Sequence, residues 1–429
     1  MRNFICRCVL LTAFCLLGCI KQVSAYAILT HEAIIDASWE KSIRPLLLLR
    51  FPATTDSAMK DAHAYAYGGA MIADIGYMPL GSMEFSDMMH YVRGGDMVQA
   101  MLDDARDVNE LAFAIGALSH YLTDEYGHSK ATNVTVPLLK MNKKLRRKYG
   151  DFITYADDHT SHSRLEFSFD VLQVSRGNYT SQAYHDFIGF KVSKPVLERA
   201  FLKTYGRKLD DLFRNFDSAV GTLRWGVNNL IPAIIKMTWK TQRDSIMKRQ
   251  PTMTARKFRY EMEHKQYYKE FGRNREHEGF TASLIAFIIK VAPKIGPFKT
   301  FKYVDPGKAG EKLFIASFDT IAARFARNLK RVQNHNLALN NIDFDTGRPT
   351  AIDEYDMADQ SYAEWLIKLN KDSFQYITPA IRDHLLYFYR DPQKILYSPR
   401  YPFNCDELMQ AVDNLKQPNP RSTDTKQGK

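Results

Sequence analysis

Residues 109–128 read NELAFAIGALSHYLTDEYGH. Leu111, Ile115, Leu118 and Leu122 recur at helical spacing and mark one apolar stripe. His120, Asp124 and His128 are four residues apart. Each such step advances about 40° around a helix axis, so the three side chains share a face about 80° wide. That face sits beside the leucine stripe, and Gly116 and Ala117, one turn earlier, are small enough to let another segment come close. Imidazole nitrogen and carboxylate oxygen are ordinary zinc ligands. The stretch therefore predicts a helix carrying a metal-binding face. The competing reading is a solvated helix face.

The same period continues outward. Helices are expected over 31–42, with Thr30 as N-cap and Pro45 just beyond the end, and over 58–73 and 161–171. Past residue 190 they are expected within 197–237, 281–292, 313–336, 358–369 and 376–389. Convincing alternating strands and internal repeats are lacking, so the expected class is all-α. The expected organisation is a catalytic region over 26–190, then a helical extension over 191–415 packed on it or appended to it. The tail 416–429 is polar, holds two prolines and is expected to be disordered.

The chain has 429 residues, 45% of them apolar, enough for a large core. Its 25% of charged residues excludes wholesale disorder. Residues 1–25 read as a signal peptide. Arg2 and Arg7 open it, the apolar run 9–20 is too short to span a bilayer, and Val23-Ser24-Ala25 is a small-x-small cleavage site. Export to a periplasm or beyond is expected, with Tyr26 as the new first residue. Ala25-Tyr26-Ala27 offers a second cut, and Leu16-Leu17-Gly18-Cys19 resembles a lipoprotein box that would anchor the chain at Cys19. Past the leader only Cys405 remains, so the mature monomer has no disulfide. The leader carries Arg2, Arg7 and Lys21 and no acid, so its loss lowers the +11 charge by three, to +8. Such a charge favours anionic partners: phosphates, anionic lipid surfaces or nucleic acid.

Other His, Asp and Glu residues recur at informative places. His162 and Glu166 are i and i+4 on one helical face, with His159 as a rival ligand. His31 sits just inside a helix start. Asp74 follows the small-residue ending Gly68-Gly69-Ala70-Met71-Ile72-Ala73, and His90 precedes Tyr91-Val92-Arg93-Gly94-Gly95. Taken singly, these read as a surface pair, a cap and a partly buried polar residue.

Their order, His31, Asp74, His90, His120-x-x-x-Asp124, His128 and His162-x-x-x-Glu166, resembles the zinc-dependent phospholipase C family, relatives of the S1/P1 nucleases. Thr30-His31, Ala73-Asp74-Ile75, Ser119-His120-Tyr121-Leu122-Thr123-Asp124 and His162-Ser163-Arg164-Leu165-Glu166-Phe167 carry the likeness, over about residues 26–175. The resemblance implies two or three zinc ions in a helical cleft. Asp74, His90, His120 and Asp124 would hold one, and His128, His162 and Glu166 a second. Asp124 would bridge to a third, held by His31 and by the amine and carbonyl of mature Tyr26. It also implies a metal-bound hydroxide attacking the phosphorus of a phospholipid or related phosphodiester, with Asp74 assisting proton transfer. Glu125 and Asp170 are the expected carboxylates behind the imidazoles. Two features depart from the family pattern: the first mature residue would be Tyr in place of Trp, and the Asp124–His128 gap is short.

Two other functions compete. One is an S1/P1-like nuclease or nucleotidase on the same scaffold, with nucleic acid as partner. The other is a non-catalytic exported helical protein that binds metal. The segment Arg256-Lys257-Phe258-Arg259-Tyr260 with Tyr267-Tyr268-Lys269 mixes basic and aromatic residues. It could touch a membrane surface or stack on bases, although a solvated helix or loop is the plainer reading. His63, His159 and His185 read as structural. Asn133 and Asn178 open glycosylation sequons. Oligomeric state is not legible.

Overall fold

The structure is a computed structural model, and it describes residues 28–175, 190–227, 303–391 and 405–417, with single positions at 243, 244, 247 and 394. Helices build it. Among the described residues there is no strand, and one isolated bridge joins Ile342 to Pro349. The fold class is all-α, as expected. No described helix is long and apolar enough to cross a membrane.

The first segment departs from expectation. Helix α1 spans Ile28–Ser38 and runs through a wide turn, Trp39–Ile43, into α2, Arg44–Arg50. Thr30 is therefore no cap. It lies within α1, where its N–H and its hydroxyl both donate to Asp170 Oδ1, at 3.1 and 3.3 Å. Pro45 does not end the helix either. It sits in the first turn of α2, where a missing N–H leaves no bond unmade.

Helix α3, Asp56–Met71, starts at Thr55, whose hydroxyl accepts the Ala58 N–H at 3.2 Å. A tight 3-10 turn, Ile72–Tyr77, follows and carries Asp74. Helix α4, Met83–Tyr91, carries His90, and α5 spans Gly94–Asp103. Helix α6, Val108–Gly127, is the long helix read from the sequence. Asp107 caps it, accepting the N–H groups of Asn109 and Glu110, both at 2.9 Å. A wide turn, His128–Thr132, continues it. The rest are α7 (Lys143–Tyr149), α8 (His159–Ser175), α9 (Lys194–Tyr205), α10 (Phe216–Trp225), α11 (Gly307–Gln333), α12 (Asp356–Lys371), α13 (Pro379–Phe388) and α14 (Cys405–Lys416). The span expected as helix over 197–237 is broken at Gly206, which turns left-handed with φ of 64° and ends α9. The expected helix over 281–292, the basic-aromatic segment, His185 and Asn178 lie outside the described residues.

Helix α6 is buried on every side from Glu110 to Asp124, so it is the central rod of the fold and not a surface helix. Its partner α3 comes unusually close. A Cβ on Gly69 would stand 1.8 Å from the Phe113 carbonyl oxygen, and one on Gly116 would stand 2.0 Å from the Ala66 oxygen. Only glycine permits both approaches. Helix α11 buries Phe314, Phe318, Ile321, Phe325 and Leu329, with Phe314 stacked on Phe169 of α8 at 4.6 Å. Farther along, the Trp365 indole of α12 donates to the Tyr205 carbonyl at 2.9 Å. One continuous apolar core joins these elements from Ile28 to Leu415. The α11–α12 connection folds back over the first half of the chain. There Tyr121 donates to the Asn340 carbonyl at 3.0 Å, and the Phe344 N–H donates to the His90 carbonyl at 3.0 Å.

Candidate metal centre

Six elements bring five histidines and three carboxylates together. His31 comes from α1, Asp74 from the turn after α3, and His90 from α4. His120 and Asp124 come from α6, His128 from the turn that extends it, and His162 and Glu166 from α8. All eight are buried. That removes the solvated-face alternative: His120 is 2% exposed and Asp124 0%.

Their donor atoms form three groups: His31 with His120 and Asp124, Asp74 with His90 and His120, and His128 with His162 and Glu166. The two oxygens of Asp124 diverge. Oδ1 faces His31 Nε2 at 3.3 Å, while Oδ2 faces His120 Nε2 at 3.1 Å and His90 Nε2 at 3.4 Å. Asp74 Oδ1 lies 3.4 Å from the same His90 nitrogen. Glu166 Oε1 lies 2.8 Å from His162 Nε2 and 3.0 Å from His128 Nε2. His31 and His120 stack with ring centres 4.4 Å apart.

Backbone carbonyls fix two of the rings. His90 Nδ1 lies 2.7 Å from the Ser86 carbonyl oxygen and His120 Nδ1 2.9 Å from that of Ala70. A carbonyl only accepts, so each Nδ1 carries a proton, and Nε2 is the atom each ring would offer a metal. The Ala70 carbonyl can reach His120 because Gly69 and Gly116 let α3 lie directly against α6.

Electrostatics make the cluster tightly coupled. Burial alone would push His90 down, but hydrogen bonds and charge from Asp124 and Asp74 outweigh it and hold its pKa well above the usual range. His128 follows the same pattern: burial lowers it, and Asp124, Glu166 and Asp345 raise it to about 9. His31 is lowered, first by burial and then by the positive neighbour His120. Burial would raise Asp124, yet His120, His128 and His31 hold it well below the usual carboxylate range.

This donor set fits zinc. Ligand atoms placed tetrahedrally about a zinc at roughly 2.0–2.1 Å stand roughly 3.3–3.4 Å apart. The pairs around Asp124 span 3.1–3.4 Å. The oxygens of Asp74, Asp124 and Glu166 are buried, and the only groups that face them are the imidazoles of the same cluster. Buried carboxylates in that state are costly unless a cation joins them.

Tyr26, the remaining expected ligand, lies outside the described residues. His159 is only partly buried and belongs to none of the three groups; its ring meets Tyr155 edge-on at 4.1 Å. His63 stacks on Trp39 at 3.7 Å and belongs to none of the three groups. The two expected outer carboxylates are corrected. Asp170 binds the first turn of α1 and not an imidazole. Burial raises Glu125, against the hydrogen bond with Tyr126 and the charge of Arg324, and no imidazole is among the groups that act on it. The carboxylate that does stand behind an imidazole is Asp345, with Oδ1 3.6 Å from His128 Nδ1. Sequence reasoning missed it. Its one signal is the glycine-containing turn Asp343-Phe344-Asp345-Thr346-Gly347 in an otherwise helical region.

Comparison with known proteins agrees with the donor set. The family model described as zinc dependent phospholipase C matches residues 30–214. No curated protein and no solved structure matches the chain.

Proposed function

From the match of residues 30–214 to the zinc dependent phospholipase C family model, we infer that the chain is a member of that family: an exported phosphodiester hydrolase that holds two or three zinc ions and acts on a phospholipid or related phosphodiester. The observation that carries this reading is the divergence of Asp124, one oxygen toward His31 and the other toward His90 and His120. A carboxylate so placed can join two metal positions. His128, His162 and Glu166 supply a third group of donors close by.

Zinc, when bound, lowers the pKa of water, orients a phosphoryl group and neutralises developing charge. The chain's own residues do the rest. His90 and His120, locked through Nδ1, keep their Nε2 atoms aimed inward. Asp74, whose Oδ1 lies 3.4 Å from His90 Nε2, is the carboxylate that the resemblance assigns to proton transfer. Removal of the leader at Ala25 would make Tyr26 the N-terminal residue, whose amine could then join His31.

The test combines metal analysis with a substrate panel. The purified protein should contain two or three zinc ions per chain and release phosphocholine or a related headgroup from phospholipid. Asp124→Ala and His120→Ala should lower zinc content and remove activity. Full zinc content in a folded His120→Ala protein rejects the site. Release of nucleotides alone would reassign the substrate, and full zinc without turnover of any phosphoester would point to the binding protein. N-terminal sequencing of the mature chain separates Tyr26 from Cys19 and Ile28.

A further inference from the structure

His128 is gripped from both ring nitrogens. Nε2 faces Glu166 in the metal group. Nδ1 faces Asp345 Oδ1, 3.6 Å away, so roughly half an ångström of closure makes a hydrogen bond. Asp345 is 2% exposed and held independently of His128. Its Oδ2 accepts the Tyr155 N–H at 3.1 Å and the Tyr355 hydroxyl. Its backbone carbonyl accepts the Asn133 side-chain amide at 2.7 Å. With Oδ2 clamped twice, Oδ1 is left pointing at the imidazole, buried and without a hydrogen-bond donor.

Asp345 lies on the α11–α12 connection, well past residue 214, where the family match ends. That connection is built into the centre. Next to Asp345, the Phe344 N–H binds the His90 carbonyl, and the Phe344 ring meets His90 edge-on at 5.5 Å. Gly347, with φ of 72°, makes the turn that returns the chain. His90 and His120 lean on backbone carbonyls, whereas His128 faces an anchored carboxylate.

We propose that Asp345, supplied by the second half of the chain, is a positioning residue for His128: its carboxylate accepts the Nδ1–H and fixes the ring so that Nε2 points into the His128–His162–Glu166 metal group. The proposal rests on the zinc reading above. A carboxylate behind a ligating imidazole sets its tautomer and orientation, and its loss typically weakens metal binding 10- to 100-fold. The first half of the chain thus supplies the ligands and the second half steadies one of them.

The test uses the full chain, titrated with zinc against a chromophoric chelator. Asp345→Asn should weaken one zinc equivalent about 10- to 100-fold and leave the others at wild-type affinity. With cobalt in place of zinc, the absorption bands of one metal should shift. Tyr355→Phe removes only one clamp on Oδ2, so it should weaken the same equivalent by a smaller factor; it carries the test if Asp345→Asn does not fold. Wild-type affinity for every equivalent in a folded Asp345→Asn, or in Tyr355→Phe should the first variant fail to fold, overturns the proposal and leaves the zinc reading intact. A wild-type chain that binds no stoichiometric zinc overturns both.

Discussion

A buried imidazole meets two different fates in this molecule. Beside Asp74 and Asp124, His90 is held toward its charged form. For His384 of α13 the balance runs the other way: burial first, then the Arg93 charge, outweigh the pull of Asp96 and lower it from 6.5 to about 4. Its Nε2 lies 2.8 Å from the Tyr362 hydroxyl, so a neutral ring accepts that bond. The folded state therefore resists a proton that the unfolded chain takes up readily below pH 6.5. The consequence has a definite sign. Stability from this residue is present above pH 6.5 and is lost as pH falls toward 4. His384→Gln keeps an acceptor for Tyr362 and has nothing to titrate. Between pH 6.5 and 4, urea unfolding should show the wild type losing stability more steeply than His384→Gln. Any loss of zinc on acidification affects both proteins and cancels in the difference. Parallel curves would reject the assignment.

At the scale of elements, the contact between α3 and α6 connects packing to chemistry. Gly116→Ala should gain about 1 kcal/mol of helix propensity. Against that, the new Cβ would meet the Ala66 carbonyl oxygen at 2.0 Å, and backbone cannot swing aside as a flexible side chain can. Overpacking costs about 1–3 kcal/mol, so a net loss of stability is expected. Because the Ala70 carbonyl fixes His120, pushing α3 away should also weaken zinc binding. Denaturant midpoints and zinc titration of the one variant check both effects. A variant that is more stable than wild type and binds zinc normally would show that the helices have room to separate. These elements were also the legible ones. His120 with Asp124, and His162 with Glu166, share a helix, so local periodicity places each pair on one face. Thr30 misled because its satisfaction is not local: the acceptor for its N–H is Asp170, 140 residues away in sequence. Asp345 left no periodic trace because a loop delivers it, and the partners that aim it come from three separate segments.

For the whole molecule, the family match ends at residue 214, yet the apolar core continues to Leu415. The ligands lie within the matched region, but the support beneath them does not. Phe314 stacks on Phe169, one turn along α8 from Glu166. Phe344 covers His90 and His120, with ring centres at 5.5 and 6.0 Å. A chain ending at residue 227 would lose Phe314, Phe318, Ile321, Phe325 and Leu329 from this core. At about 1.5–3 kcal/mol for each buried side chain, those five alone contribute on the order of 10 kcal/mol. Typical domains have about 5–15 kcal/mol of net stability, so the deficit is as large as the whole. The truncated chain should therefore lack sharp near-ultraviolet dichroism, aggregate, and bind zinc weakly even though all eight described ligands are present. A soluble, cooperatively unfolding fragment with full zinc content would instead make the matched region a domain in its own right and reduce the second half to an attachment.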